Sequence, residues 1–190
     1  VIGDETDEIA EATAAARDAD VAIVVVGENE WQAADKKGTS GEGYDVATLE
    51  LTGRQRELGQ AVHATGTPTV VVLINGRPLA VRWVAENVPA LVEAWVPGER
   101  GGQAVAEILF GDHEPEGRLP ITIPRHVGQL PVAYDFKPSS DYWLKKRWGK
   151  PYAHLAHTPL FEFGYGLSYT TWAYDRLEIR TPRVDPGGRL

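Results

Sequence analysis

The apolar residues of this chain fall into short continuous runs separated by longer amphipathic stretches. Three runs read VAIVVVG, TVVVLI and ALVEAWV, and each ends at a glycine or is followed by an Asn-Gly or Pro-Gly pair. Runs this short, without polar alternation, are typical of strands that are buried on both faces of a parallel sheet. We therefore predict adjacent parallel strands at residues 21–26, 69–74 and 91–96.

The stretches around these runs place their apolar residues at helical spacing. The predicted helices span residues 4–20, 52–66, 79–88 and 101–111. We expect Asp4 and Thr52 to cap the first two helices, and Gly66 and Gly111 to end the second and the fourth. Helices that alternate with strands in this way predict a doubly wound α/β fold, with a mostly parallel sheet sandwiched by helices.

The pattern changes after about residue 125. The stretch RLPITIP alternates between prolines, as an edge strand does, whereas the chain after it is rich in proline, glycine and aromatic residues without a period. From Trp172 onward, Leu177 and Ile179 alternate with charged residues, which predicts the first strand of a further β domain. The predicted divisions are an α/β sandwich domain at 1–125 that is incomplete at its N-terminus, an irregular surface-wrapping segment and linker at 126–171, and the start of the β domain at 172–190.

The composition argues against several classes of function. The net charge is −8, from 27 acidic and 19 basic residues, and nucleic-acid binding needs a positive field instead. No apolar run approaches the roughly 18 residues of a membrane span. The absence of cysteine excludes disulfides and thiol catalysis. We thus expect neither a nucleic-acid partner nor a membrane partner.

The chain begins with Val1 and contains no methionine. An unprocessed translation product starts with methionine, so we expect this chain to be a fragment or one piece of a cut polypeptide. Any function assigned to it can therefore depend on residues elsewhere in that polypeptide.

A long polar segment, ENEWQAADKKGTSGEGYDVATLEL, follows the first predicted strand. In open α/β sheets, ligands gather in the loops after the carboxyl ends of the strands. An insertion of this length in a compact domain is usually functional or disordered. Glu42 lies in this segment between two glycines, which permit tight backbone conformations around the carboxylate.

The residues near Glu42 are suited to binding a sugar. Trp31 and Tyr44 offer aromatic faces on which a pyranose ring stacks, and carboxylates perform acid/base work and accept hydrogen bonds from hydroxyls. Further acids of the segment are Glu28, Glu30, Asp35 and Asp45. A solvated acidic loop is the alternative that these residues alone leave open.

Two other motifs have simpler explanations. PGERGG precedes a predicted helix but has neither the GxGxxG spacing nor the lysine of a phosphate loop, which favours a packing or turn role. His154 and His157 form an H-x-x-H pair without an evident third ligand. We therefore predict neither a metal nor a cofactor.

Seven motifs together carry a family resemblance. In chain order they are ADVAIVVVGENE, SGEGYD, LELTGRQRELGQAV, PTVVVLINGRPLAV, VPALVEAWVPGERGGQAVAEILFGD, EGRLPITIPRHVGQLPVAY and PLFEFGYGLSYT. Over roughly residues 5–172 the chain resembles the C-terminal α/β sandwich of glycoside hydrolase family 3, of the bacterial β-glucosidase type.

The resemblance implies a retaining, exo-acting β-glycosidase. Its nucleophilic aspartate is expected in an N-terminal (β/α)8 barrel, and its general acid/base is expected to be the glutamate of SGEG, which is Glu42. A fibronectin-III-like domain often follows FGYGLSYT, and this fits the alternating tail. We expect a β-glucoside or a short β-linked oligosaccharide as substrate, with Trp31 and Tyr44 contacting it. Bacterial cytoplasm, periplasm and secretion all stay open as locations.

The sequence contains the sandwich domain but no barrel. A retaining glycosidase needs two carboxyl groups about 5 to 5.5 Å apart, and this chain supplies one of them. We therefore expect the chain alone to be inactive and to need the barrel domain of the same protein, present as a separate chain or missing here. The alternative is a non-catalytic sugar-binding or structural domain of a larger assembly.

Overall fold

The computed structural model describes residues 6–28, 39–40, 45–135, 154–173, 175–179, 183 and 187. The helices are α1 (Thr6–Arg17), α2 (Gln55–His63), α3 (Arg82–Asn87) and α4 (Gly101–Phe110), and the strands are β1 (Ala22–Gly27), β2 (Thr69–Ile74) and β3 (Ala90–Glu93). Within the described ranges, no helix has the length and apolar character needed to cross a bilayer.

The three strands form one parallel sheet in the order β1-β2-β3. The register places Val24 opposite Val71, and Val72 opposite Val92. This confirms the predicted α/β class and the adjacency of the three strands. The third strand ends at Glu93 rather than at 96, and Trp95, two residues later, has a left-handed backbone with φ of 51°, which departs from extended strand geometry.

One face of the sheet forms the main hydrophobic core. Val24 and Val26 of β1 lie beside Val71 and Leu73 of β2, and α1 and α2 contact each other along this core. The other buried members of the cluster are Ala16, Val62, Leu79, Val81, Val84 and Val88. The inward placement of Val62 agrees with the helical spacing of its segment.

The opposite face of β1 is partly open. Ile23 and Val25 are 48% and 49% exposed, whereas Val72 of the neighbouring strand is fully buried. The expectation that the first strand is buried on both faces is therefore wrong for this chain. A continuous β-branched run shows that a strand suits an apolar surrounding, but it does not show which part of a protein supplies that surrounding.

The sequence prediction is wrong at both ends of α2 and agrees at the end of α4. Gly66 does not end α2, because the helix stops at His63 with Ala64 as its C-cap. The expected cap at Thr52 is wrong, because α2 begins three residues later with Arg54 as its N-cap, and no side-chain cap is formed there among the described residues. The Thr52 hydroxyl accepts a hydrogen bond from Gln55 Nε2 at 3.1 Å instead. Gly111 ends α4 in a left-handed conformation with φ of 78°, as expected. Asp4 lies outside the described residues.

The predicted edge strand at 118–124 is reduced to a single antiparallel bridge between Ile123 and Phe161. Pro120 and Pro124 have no backbone N–H to continue a ladder. In the tail, the described residues 175–179 form no strand, and Leu177 is 88% exposed. The divisions at 125 and 171 and the fibronectin-III-like domain stay predictions.

Candidate functional site

The residues proposed from the sequence as the site lie outside the described part of the chain. These are Glu42, Trp31 and Tyr44, together with the acids Glu30 and Asp35. The structure does describe both ends of the segment that contains them. Glu28 follows β1 directly, Thr39 and Ser40 precede Glu42, and the chain is described again from Asp45.

The segment begins at the carboxyl edge of the sheet. Because the three strands are parallel, the residues after β1, β2 and β3 meet at this edge, where ligands gather in α/β folds. Glu28 follows the first strand, Asn75 the second, and Trp95 lies just beyond the third. This edge contains a network of buried polar contacts that the hydrophobic pattern did not reveal.

Glu28 forms an ion pair with Arg77. Arg77 Nε lies 3.2 Å from Glu28 Oε2, and only 3% of the Glu28 side chain is exposed. Burial raises the pKa of Glu28, while the charge and the hydrogen bond of Arg77 act in the opposite direction. The Glu28 N–H donates to the Ile74 carbonyl at 2.9 Å, so the backbone at this point is fixed to β2.

The connection between β2 and α3, residues 75–81, holds the segment on both sides of Glu42. Before Glu42, the Thr39 carbonyl accepts a hydrogen bond from Arg77 Nη2 at 3.4 Å. After Glu42, the Leu49 carbonyl accepts one from the Ala80 N–H at 2.7 Å. The segment is thus attached to one connection at two points that bracket the proposed catalytic residue.

Asn75 links the second and third strand ends. Its Nδ2 donates to the Arg77 carbonyl at 2.9 Å and to Glu93 Oε2 at 3.3 Å, and its N–H donates to the Trp95 carbonyl at 3.2 Å. The Trp95 N–H in turn donates to Glu93 Oε1 at 3.0 Å. Asn75 Oδ1 is buried and has no hydrogen-bond partner within the described ranges. Such an acceptor is costly, so the other bonds of Asn75 must outweigh it.

Burial dominates the titration of Glu93. It raises the pKa of the Glu93 carboxyl, although the hydrogen bonds from Trp95 and Asn75 lower it. The largely buried Glu93 carboxyl accepts hydrogen bonds from Asn75 and from the Trp95 N–H, and so joins the ends of β2 and β3. Among the described residues, Glu93 forms no hydrogen bond or ion pair with the segment of Glu42.

Gln55, the first residue of α2, clamps the end of β1. The Gly27 N–H donates to Gln55 Oε1 at 2.6 Å, and Gln55 Nε2 donates to the Gly27 carbonyl at 2.9 Å. Both groups are buried. The strand end from which the Glu42 segment departs is therefore held from the helix side as well as from β2.

One glycine of PGERGG fits the packing role that the sequence favours. A Cβ atom at Gly101 would lie 2.5 Å from the Pro97 ring, so this glycine of PGERGG permits close packing at the start of α4. His154 and His157 are exposed. In the described part of the chain, no three His, Asp or Glu side chains are grouped so that they could hold a metal ion.

Comparison with known proteins decides the family. A model of the Glycosyl hydrolase family 3 C-terminal domain matches residues 3–169. This chain belongs to glycosyl hydrolase family 3. The family 3 resemblance inferred from the motifs is therefore confirmed, and the matched residues include the whole of the sheet and both ends of the Glu42 segment.

Curated family 3 relatives extend beyond this domain. A β-xylosidase of Formosa agariphila is 45% identical over 92% of the chain, and the chain covers 22% of that protein. A periplasmic β-glucosidase of Salmonella typhimurium is 40% identical over 96% of the chain, of which the chain covers 23%. The chain thus spans less than a quarter of the length of these relatives.

Solved structures of family 3 enzymes share the fold. A β-glucosidase from Erythrobacter marinus superimposes on 86% of the chain with a TM-score of 0.72 and 47% identity, and the chain covers 21% of it. A Listeria innocua β-glucosidase in complex with glucose superimposes on 87% of the chain with a TM-score of 0.74 and 33% identity, and the chain covers 22% of it. The parallel α/β architecture is therefore that of family 3 β-glucosidases.

Proposed function

We propose that this chain is part of a retaining, exo-acting β-glycosidase that hydrolyses terminal β-D-glucosyl residues, with Glu42 as the general acid/base. The observation that carries the proposal is the family 3 match over residues 3–169, which includes the motif SGEGYD around Glu42. β-Glucosidases among the similar proteins support the substrate class. In the family resemblance, the glutamate of this motif is the acid/base.

The proposed reaction divides its two carboxyl groups between domains. A nucleophilic aspartate in the N-terminal barrel domain of the same protein attacks the anomeric carbon, while Glu42 protonates the leaving oxygen. Glu42 then takes a proton from the water that attacks the glycosyl-enzyme. Each step inverts the anomeric carbon, so the product keeps the β configuration. The proposed roles of Trp31 and Tyr44 are to stack against the sugar near this seam.

The described geometry supports a role for the Glu42 segment in a site. The segment leaves the sheet at the edge where α/β proteins bind ligands, and it is attached to the 75–81 connection before and after Glu42. A catalytic acid gains from such attachment, because proton transfer needs the carboxyl group within hydrogen-bond reach of the glycosidic oxygen.

A β-xyloside is the second candidate substrate. The Formosa agariphila relative, at 45% identity, is named a β-xylosidase. Xylose lacks the hydroxymethyl group of glucose, and the contacts to that group are expected in the barrel domain. The two substrates are therefore compared in the full-length protein, by kcat/KM on p-nitrophenyl β-D-glucoside and β-D-xyloside.

The proposal expects the glucoside to be the better substrate by about tenfold or more, which is the discrimination that one small substrate group provides. NMR of the first-formed sugar should show the β anomer. A preference for the xyloside would replace the substrate while keeping the mechanism, and an α product would reject the retaining mechanism. Absence of hydrolysis by the full-length protein would favour the non-catalytic sugar-binding or structural alternative.

The proposed division of the two carboxyl groups between domains also predicts the activity of the 190-residue chain on its own. Without the barrel domain there is no nucleophile, so the purified chain should show no turnover of p-nitrophenyl β-D-glucoside. Turnover by this chain would place both catalytic groups within it and reject the proposed division.

A further inference from the structure

We propose that Arg77 is a positioning residue for catalysis, which fixes the segment that contains Glu42 by binding it at Glu28, where the segment begins, and at Thr39, three residues before Glu42. This inference rests on the proposed role of Glu42 as the acid/base. Arg77 lies outside the segment, in the 75–81 connection, and it is not assigned a contact with the substrate.

The two contacts of Arg77 are made to two points of the segment that both precede Glu42. Its Nε binds Glu28, where the segment leaves β1, and its Nη2 binds the Thr39 carbonyl, three residues before Glu42. One guanidinium therefore joins positions that are eleven residues apart in the sequence. Loss of this group would remove one attachment of Thr39 to the 75–81 connection, while the Leu49 attachment would remain.

Arg77 stands on a rigid base. Its carbonyl accepts the hydrogen bond from the buried Asn75, and the residues that follow it, Leu79, Ala80 and Val81, are only 2%, 1% and 5% exposed. The side chain itself is 21% exposed, so most of its surface packs against protein. Arg77 can therefore hold the segment at a fixed position relative to the edge of the sheet.

The chemistry of arginine suits this role. The guanidinium is planar and charged, and its N–H groups point in fixed, separate directions, so that one side chain can bind a carboxylate and a carbonyl together. Lysine offers a point charge on a flexible stem. We therefore expect lysine at position 77 to keep the pairing with Glu28 and to lose much of the constraint on Thr39.

The expected consequence concerns proton transfer specifically. A displacement of about 1 Å at a catalytic group can cost about a hundredfold in rate, and acid/base assistance itself contributes roughly 10²- to 10⁴-fold. An activated leaving group such as dinitrophenolate needs little protonation. A misplaced Glu42 should therefore slow substrates with poor leaving groups and spare the activated ones.

The test compares two substrates in the full-length protein. For each variant, kcat/KM is measured on p-methoxyphenyl β-D-glucoside and on 2,4-dinitrophenyl β-D-glucoside. The value for the p-methoxyphenyl substrate is then divided by the value for the dinitrophenyl substrate. A variant that only reduces the folded fraction lowers both values equally and leaves the ratio unchanged. Arg77→Ala should lower the ratio roughly ten- to a hundredfold, and Arg77→Lys should lower it less.

Arg82→Ala is the matched control. Arg82 follows five residues later and forms an exposed ion pair with Glu86, at 2.8 Å, on α3. Its removal should leave the ratio at the wild-type value. If Arg77→Ala does not fold, Arg77→Lys carries the test. A wild-type ratio in every folded Arg77 variant would overturn the inference, as would an equal change in the Arg82 control.

A double variant separates this inference from the proposal about Glu42. If Arg77 acts through Glu42, Arg77→Ala should lower the ratio no further in a Glu42→Ala background. If Glu42→Ala keeps the wild-type ratio, the acid/base assignment fails, and with it the inference. If Glu42→Ala lowers the ratio and Arg77→Ala does not, the assignment stands and the positioning role of Arg77 is overturned.

Discussion

The side-chain amide of Gln55 pairs with the backbone of Gly27 through two hydrogen bonds, of 2.6 Å and 2.9 Å. The Gln55 amide binds the Gly27 N–H and carbonyl in the way that the backbone of a further neighbouring strand would bind them. It joins the first turn of α2 to the point at which the Glu42 segment begins. Gln55 is polar and yet only 7% exposed, which is explained by this pairing.

The first prediction concerns this pair. Gln55→Leu should leave the Gly27 N–H and carbonyl buried without partners, at a cost of about 1 to 3 kcal/mol in local stability. Hydrogen exchange of peptides that cover β1 in the full-length protein measures this loss. Gln103→Leu, which removes an exposed hydrogen bond to Glu107 on α4, is the control and should not alter exchange in β1. Unchanged exchange in the Gln55 variant would contradict the role given to the pair.

The second prediction uses three glycines. A Cβ at Gly27 would lie 1.9 Å from the Ile74 carbonyl oxygen, at a φ of 147°, so Gly27→Ala should prevent correct folding of β1 against β2. Gly53 has a φ of 57°, and a Cβ there would meet no described atom beyond its chain neighbours within 4 Å, so Gly53→Ala should cost about 1 kcal/mol from backbone strain alone. Gly102 is helical and a Cβ there meets no described atom within 4 Å, so Gly102→Ala should be neutral or stabilising, by up to about 1 kcal/mol.

Thermal unfolding of the three full-length variants ranks these effects. The order of stability should be Gly102→Ala, then Gly53→Ala, then Gly27→Ala. A Gly27→Ala protein that is as stable as Gly53→Ala would show that the strand ends can separate without cost, contrary to the close packing of β1 and β2.

The third prediction concerns pH. Burial raises the pKa of Glu93, so the folded state holds its proton more tightly than the unfolded state. The stabilisation from Glu93 is therefore fully present below its unfolded pKa, and it is lost as the pH rises through the folded pKa. Between about pH 4 and pH 7, the Tm of Glu93→Gln should rise relative to that of the wild type.

Glu57 provides a control of opposite sign. The hydrogen bond from Arg54 lowers the pKa of Glu57, so its contribution is present above the unfolded pKa and is lost as the pH falls. The Tm of Glu57→Gln should thus approach that of the wild type at low pH. The change should be small, because the Arg54–Glu57 pair is exposed. If the Tm of Glu93→Gln minus that of the wild type stays constant or falls as the pH rises, the raised pKa of Glu93 is contradicted.

The sequence predicted the fold well because its strands are continuous and its helices are periodic. The second strand was placed at 69–74 and lies at Thr69–Ile74, since both turns beside it have clear signals. The cap at Thr52 was wrong because α2 begins only at Gln55, whose side-chain amide binds both the Gly27 backbone and the Thr52 hydroxyl. Local helix signals contain no information about such a contact over 28 residues.

The candidate site was predictable only in part. Glycines around Glu42 and the family motifs pointed to the residue, whereas Arg77 appears in the sequence as an ordinary charged residue after an Asn-Gly turn. Its partners Glu28 and Thr39 lie 49 and 38 residues earlier, so only the tertiary structure brings the three together. The exposed face of β1 shows the same limit, because apolar content does not identify the neighbour that covers it.

The central claim is that Glu42 is the general acid/base, and azide rescue tests it most directly. In full-length Glu42→Ala, 2,4-dinitrophenyl β-D-glucoside should still form the glycosyl-enzyme, which then accumulates because no base activates water. Azide needs no base, so it should restore turnover and yield a β-glucosyl azide. Asp45→Ala is the matched control and should show no rescue. If azide fails to accelerate Glu42→Ala, or rescues Asp45→Ala instead, the assignment to Glu42 is contradicted.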